Sequence, residues 1–168
     1  MSISDVVFWI LAAVILGSGL AVVMVRNLVH AAFFLVLTFF GVSGLYVLLE
    51  ADFLAIVQIL IYVGAIAILI IFGVMLIQRE DMRETNVFSS YKKVAGVTVA
   101  LFLAILLASI KYTPLATAVQ PPLESTVGPI ADLMFTSFVV PFEAAGVLLL
   151  VAILGAIVLS TGVGREND

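Results

Sequence analysis

The chain has 168 residues, of which 64% are hydrophobic and 11% charged, with a mean hydropathy of +1.35 and a formal net charge of −4. Soluble domains carry about 25% charged residues, so this chain could not cover its surface in water, and its solvent is lipid. The charge balance leaves no basic patch for nucleic acid; the absence of cysteine excludes disulfides, thiolate metal sites and cysteine nucleophiles, and the single histidine, His30, cannot build a haem or zinc site alone.

In chain order the apolar runs predict an all-α integral membrane protein with five transmembrane helices in a single membrane domain, 1–168, with spans at about 6–25, 31–49, 53–77, 94–110 and 138–160. The N-terminal Met1-Ser2-Ile3-Ser4-Asp5 has no basic segment, so the first run reads as a retained helix and not a cleaved signal. Arg26 to His30 reads as a short polar turn, and Glu50-Ala51-Asp52 as a tight hairpin between antiparallel neighbours, with Glu50 and Asp52 solvated. Gln78 to Lys93, with both signs of charge, reads as an aqueous loop. Pro114, Pro121, Pro122, Gly128 and Pro129 leave no room for a continuous helix over 113–137. With five spans, Arg26, Arg79, Arg83, Lys92, Lys93 and Arg165 share one side and Lys111 takes the other. Cytoplasmic loops collect Lys and Arg, so the N-terminus is expected outside and the C-terminus inside. Ala13-Gly17-Ala21 and Ala152-Ala156-Ser160 repeat small residues every four positions and are candidate packing ridges.

Two places inside the spans carry polar groups that are candidate sites. The uncharged run Phe53 to Gln78 is longer than a bilayer needs and holds Gln58, Tyr62 and Gly64. Gln58 and Tyr62 stand four apart and share a helix face. Gly64 weakens the helix by about 1 kcal/mol relative to Ala and permits either a bulge or a close neighbour. These residues fit a deformable polar segment, and equally two side chains bonded to a neighbouring helix with Gly64 making room. Glu143, behind Pro141 in the opening of the last span, fits either a proton-handling acid or a carboxylate placed at the positive end of its helix dipole. No nucleophile–base pair, phosphate loop or metal spacing is present in the sequence, so catalysis by this chain alone has no support.

The stretch Gln58 to Ile61, followed by Tyr62-Val63-Gly64-Ala65-Ile66 and closing on Phe72-Gly73-Val74-Met75, resembles the third transmembrane helix of subunit J of respiratory complex I, the subunit 6 family of mitochondria and plastids. Arg26-Asn27-Leu28-Val29-His30-Ala31-Ala32 resembles the start of that family's second helix, and Pro141-Phe142-Glu143-Ala144 with Leu148 to Ala152 its last; residues 111–137 match little. The resemblance implies a non-catalytic membrane-arm subunit of an NAD(P)H- or ferredoxin-quinone oxidoreductase in the bacterial inner membrane, beside the quinone-binding and antiporter-like subunits. It implies no cofactor in this chain, with quinone, flavin and iron–sulfur clusters in partner subunits. It further implies a π-bulge around Tyr62, Val63 and Gly64 that converts to α-helix by rotation and gates a water path toward the first proton channel. Some family members carry glutamate where this chain has Gln58, which cannot ionise. A subunit of a multi-chain cation/proton antiporter or membrane-bound hydrogenase, or a chain that only packs between helices, are the alternatives.

Overall fold

The computed structural model describes residues 2–76, 92–113 and 125–162. Its helices are α1 (Ile3–Met24), α2 (Leu28–Leu48), a third span made of α3 (Asp52–Val57), a π-helical segment (Gln58–Ala67) and α4 (Ile68–Leu76), then α5 (Lys92–Tyr112), α6 (Val127–Phe135) and α7 (Val139–Gly162). Five of these stretches are long and apolar enough to cross a membrane: Ile3–Met24, Leu28–Leu48, Asp52–Leu76, Val94–Tyr112 and Val139–Gly162. No strand occurs among the described residues.

Helix boundaries follow local capping. α1 starts three residues earlier than hydropathy alone predicts, because Ser2 and Asp5 form a reciprocal capping box: Ser2 Oγ accepts from the Asp5 N–H at 3.2 Å and the Ser2 N–H donates to Asp5 Oδ2 at 2.7 Å. α2 likewise starts inside the expected polar turn. Asn27 Oδ1 accepts from the N–H groups of Val29 and His30 at 2.9 and 3.1 Å, so His30 is a helical residue. No continuous helix spans 113–137, as the prolines imply, but the stretch does hold a nine-residue helix, α6. Pro129 is its third residue, where a missing N–H forfeits no intrahelical bond. Of the expected loop, Lys92 and Lys93 already belong to α5, and residues 77–91 lie outside the described ones.

α2 ends in a Schellman motif. The Ala51 N–H reaches back to Tyr46 O at 2.9 Å and the Glu50 N–H to Val47 O at 3.0 Å, which places Glu50 in the left-handed region at φ 57°. That position is ordinarily glycine, since a Cβ there costs about 1 kcal/mol. The exposed Glu50→Gly variant is therefore expected to be as stable as the parent or up to about 1 kcal/mol more so. A chemical-denaturation midpoint in detergent that falls would show that the Glu50 carboxylate holds the turn by a contact of its own.

The molecule divides into two compact units, Met1–Leu123 and Glu124–Asp168. In the first, α2 is central: α1 packs along one side and the third span along the other. The contacts run through small residues. Every buried residue among the described ones is Ala, Gly or Ser, with one exception, Gln58. Close backbone approach through small side chains is how helices associate in lipid, where expulsion of water contributes nothing. The small residues of the α1–α2 seam include Gly41 and Gly44 of α2 and Ser18 of α1, while the Gly17 position of the Ala13-Gly17-Ala21 ridge stays open among the described residues. A Cβ on Gly41 would lie 2.7 Å from Ile15 Cγ1, and one on Gly44 2.9 Å from Leu11 Cδ2, whereas nothing lies within 4 Å of a Cβ at Gly17. Hydroxyls stitch the same seam: Ser18 Oγ and Thr38 Oγ1 are 2.8 Å apart. In the second unit, α6 folds against the start of α7 through an edge-to-face pair, Phe135 and Phe142, with centroids 5.1 Å apart.

Candidate functional site

The third span is regular for its first turn and a half, then becomes π-helical for ten residues, Gln58–Ala67, and returns to α. Helices of this type are rare and are mostly single-turn bulges found at functional sites. The segment here is longer than the one-residue insertion expected around Tyr62, Val63 and Gly64, and it contains all three. Its i→i+5 ladder places Ile59 O against Gly64, 3.3 Å from where a Cβ would sit.

The segment is anchored at its entry. Gln58, 7% exposed, donates from Nε2 to Phe39 O of α2 at 3.4 Å, a weak but buried bond. One turn earlier the direction reverses: Ser43 Oγ of α2 donates to Ala55 O at 3.1 Å. In lipid the alternative to each bond is an unsatisfied polar group, so the pair fixes the register of the third span against α2. Tyr62 adds an edge-to-face ring contact with Phe39, centroids 5.3 Å apart at 71°. Gln58 and Tyr62 thus both address Phe39, one through its carbonyl and one through its ring, as their four-residue spacing predicts for a shared face. Among the described residues no hydrogen-bond partner meets the Tyr62 hydroxyl.

At the far end of the segment Ala67 is buried to 1% exposure. Between Gln58 and Ala67 no residue is buried, and Val63 is the only one of intermediate exposure. The π segment is therefore held at both ends and uncovered in the middle. Gly64 sits in that uncovered middle. Among the described residues its Cβ position meets only its own helix's carbonyl, Ile59 O.

Glu143 lies in the other unit. It is the fifth residue of α7, exposed, two positions after Pro141. The structure thus groups Gln58, Tyr62, Val63 and Gly64 on one segment. The residues that sequence reasoning missed are the α2 partners. Ser43 carried a hydroxyl signal in an apolar helix, while Phe39 acts through its backbone carbonyl and carried none.

Comparison with known proteins shows what the chain is similar to. The family described as NADH-ubiquinone/plastoquinone oxidoreductase chain 6 matches residues 18–159. The chain is 43% identical over 154 residues to NAD(P)H-quinone oxidoreductase chain 6 of Leptolyngbya boryana, covering 91% of this chain and 77% of that one. It is 40% identical over 178 residues to the chloroplastic NAD(P)H-quinone oxidoreductase subunit 6 of Physcomitrium patens, covering 98% and 86%. It is also 35% identical over 169 residues to the F(420)H(2) dehydrogenase subunit J of Methanosarcina mazei, covering 98% and 95%.

Proposed function

The chain belongs to the NADH-ubiquinone/plastoquinone oxidoreductase chain 6 family, and from that premise we propose that its π-helical third span is the conformational element by which this subunit helps couple quinone reduction to proton translocation. It is a membrane-arm subunit of a complex I-type enzyme, and other subunits of that enzyme are its partners. The observation that carries the coupling reading is the ten-residue π segment, pinned at Gln58 and Ala67 and uncovered between them. A π turn and an α turn of the same residues differ by a rotation of everything downstream, so a segment near balance between them is a two-state element. A ligand or redox event elsewhere can bias such an element only by its differential interaction with the two states.

The middle of the segment faces outward from this chain, which supports contact there with the quinone-binding and antiporter-like subunits. The chain offers no cysteine and one histidine, a donor set that does not fit an iron–sulfur cluster, and no nucleotide loop for a flavin. Those groups, and the quinone, belong to partner subunits on this reading, and the chain's own part is to move water and helix faces. Relatives named for NAD(P)H and for F(420)H(2) share 43% and 35% identity with it, which supports the electron donor being chosen elsewhere in the assembly. The inner membrane of a bacterial cell, with the N-terminus outside, is the proposed setting; a membrane-impermeant label on a cysteine at Thr126 that reacts only from the cytoplasmic side would overturn the orientation.

Glu143 provides a test of whether a second element takes part. Glu143→Gln in the assembled enzyme is expected to lower protons moved per quinone reduced, because a carboxylate five residues into a membrane helix can organise water or exchange a proton. If Glu143 serves only the dipole of α7, the exchange costs about 0.3–1 kcal/mol of local stability and the stoichiometry stays at the parent value. Proton uptake measured against quinone reduction in vesicles decides between them.

A further inference from the structure

At the opposite end of the three-helix unit from Glu50, the small side chains that let α1, α2 and α4 approach leave a groove of about 210 Å³. Val22 of α1, Leu28, Ala31 and Ala32 of α2, and Ile70 and Val74 of α4 line it, and its surface is almost wholly apolar. Ala31 and Ala32 are buried at 6% and 5% exposure and form its floor. The first two turns of α2 make one wall, so the groove begins at a helix N-terminus, and Arg26 stands immediately before it. Arg26 is exposed and, among the described residues, has neither an ion pair nor a hydrogen-bond partner. The two ends of this unit also differ in charge. Among the described residues the acids Asp5, Glu50 and Asp52 belong to the other end.

From these observations we infer that the groove holds one acyl chain of an anionic glycerophospholipid whose phosphate pairs with Arg26 at the mouth. Charge complementarity selects this occupant. A neutral partner helix would fill the apolar wall and leave the Arg26 cation unpaired at the hydrocarbon boundary. An anionic headgroup neutralises it and also meets the positive end of α2. Basic residues at the junction of transmembrane helices recognise acidic headgroups in this way, with about 1 kcal/mol per Lys or Arg near the surface, equivalent to about fivefold in occupancy. The occupancy lies away from Gln58 and Tyr62 and is independent of the coupling reading.

The test uses the purified whole enzyme in vesicles doped with phosphatidylglycerol bearing a diazirine in one acyl chain, in parallel with the matching phosphatidylcholine probe. After illumination, mass spectrometry is expected to find label on peptides containing Val22 to Leu35 and Ile70 to Val74, about fivefold more from the anionic probe at equal mole fraction. Arg26→Gln is expected to bring the two probes level, and Arg26→Lys to keep most of the preference, which separates charge loss from misfolding. Equal labelling by both probes in the parent enzyme would reduce the site to ordinary surrounding lipid. Absence of label on these peptides in the intact enzyme, with labelling elsewhere, would show a protein helix seated in the groove. Either result overturns the inference.

Discussion

Replacing Gly64 by valine is expected to leave the enzyme assembled in the membrane while lowering quinone-linked proton translocation severalfold. In the π form a Cβ at this position lies 3.3 Å from Ile59 O. That carbonyl belongs to the helix ladder and cannot retreat without breaking it. A β-branched side chain adds methyl groups with one preferred rotamer in a helix, and valine is also a better α-former than glycine by a few tenths of a kcal/mol. Both effects push the third span toward regular α-helix. A bias of about 1.4 kcal/mol would shift a balanced two-state segment tenfold toward one form, and a coupling element held in one form no longer transmits. Tyr62→Phe should act far more mildly, since it keeps the ring contact with Phe39 and removes a hydroxyl that meets no partner among the described residues. The readout is the ratio of protons moved to quinone reduced, beside a structure of the variant. An α-helical third span in the variant with an unchanged ratio would sink the coupling role.

Gly41→Val is expected to act on assembly instead. Its Cβ would overlap Ile15 Cγ1 at 2.7 Å. Ile15 is β-branched and its Cγ1 sits next to the branch point, so it has little freedom to move aside. Overpacking of this kind costs about 1–3 kcal/mol, and it also pries apart the 2.8 Å contact of Ser18 with Thr38. The amount of chain that co-purifies with the enzyme should fall severalfold, with the activity of whatever assembles close to normal. Gly17→Val, where nothing lies within 4 Å, is the control within this chain. Parent-level incorporation of Gly41→Val would show that α1 and α2 do not rely on this seam.

Gly17 and Gly41 also illustrate what the sequence could reveal. Hydropathy locates each span to within a few residues, because long apolar stretches have no other stable solution in lipid. It cannot say which face of such a helix meets a neighbour, because lipid and protein are equally apolar. The Ala13-Gly17-Ala21 ridge therefore marks a packing face without naming its partner, and the α1–α2 seam runs through Gly41 and Gly44. Helix starts were misplaced at Ser2 and Asn27 because a capping residue is polar and reads as a turn. α6 is not legible because the prolines and Gly128 of 113–137 argue only against a continuous helix, and Pro129 is compatible with a short one solely by its place in the first turn. Within the candidate site, Gln58 was legible with Tyr62 as a large polar side chain of the third span's first half. Its acceptor was not, since every residue has a carbonyl. The π segment entered through family resemblance and gained its length and its two buried ends from the structure.

The described side chains of α5 from Val94 onward are exposed, as are those of α7 beyond Val139. The consequence lies in biosynthesis. As the chain leaves the ribosome, α1, α2 and the third span can dock in the order they are made, each on its immediate predecessor, with short connections and low contact order. Within its own unit α5 finds little among the described residues to settle against. A cell that makes this polypeptide without its neighbours would hold a half-finished substrate for membrane proteases, so its lifetime in strains lacking those neighbours should be short, and matched translation of the whole set becomes a requirement of the fold.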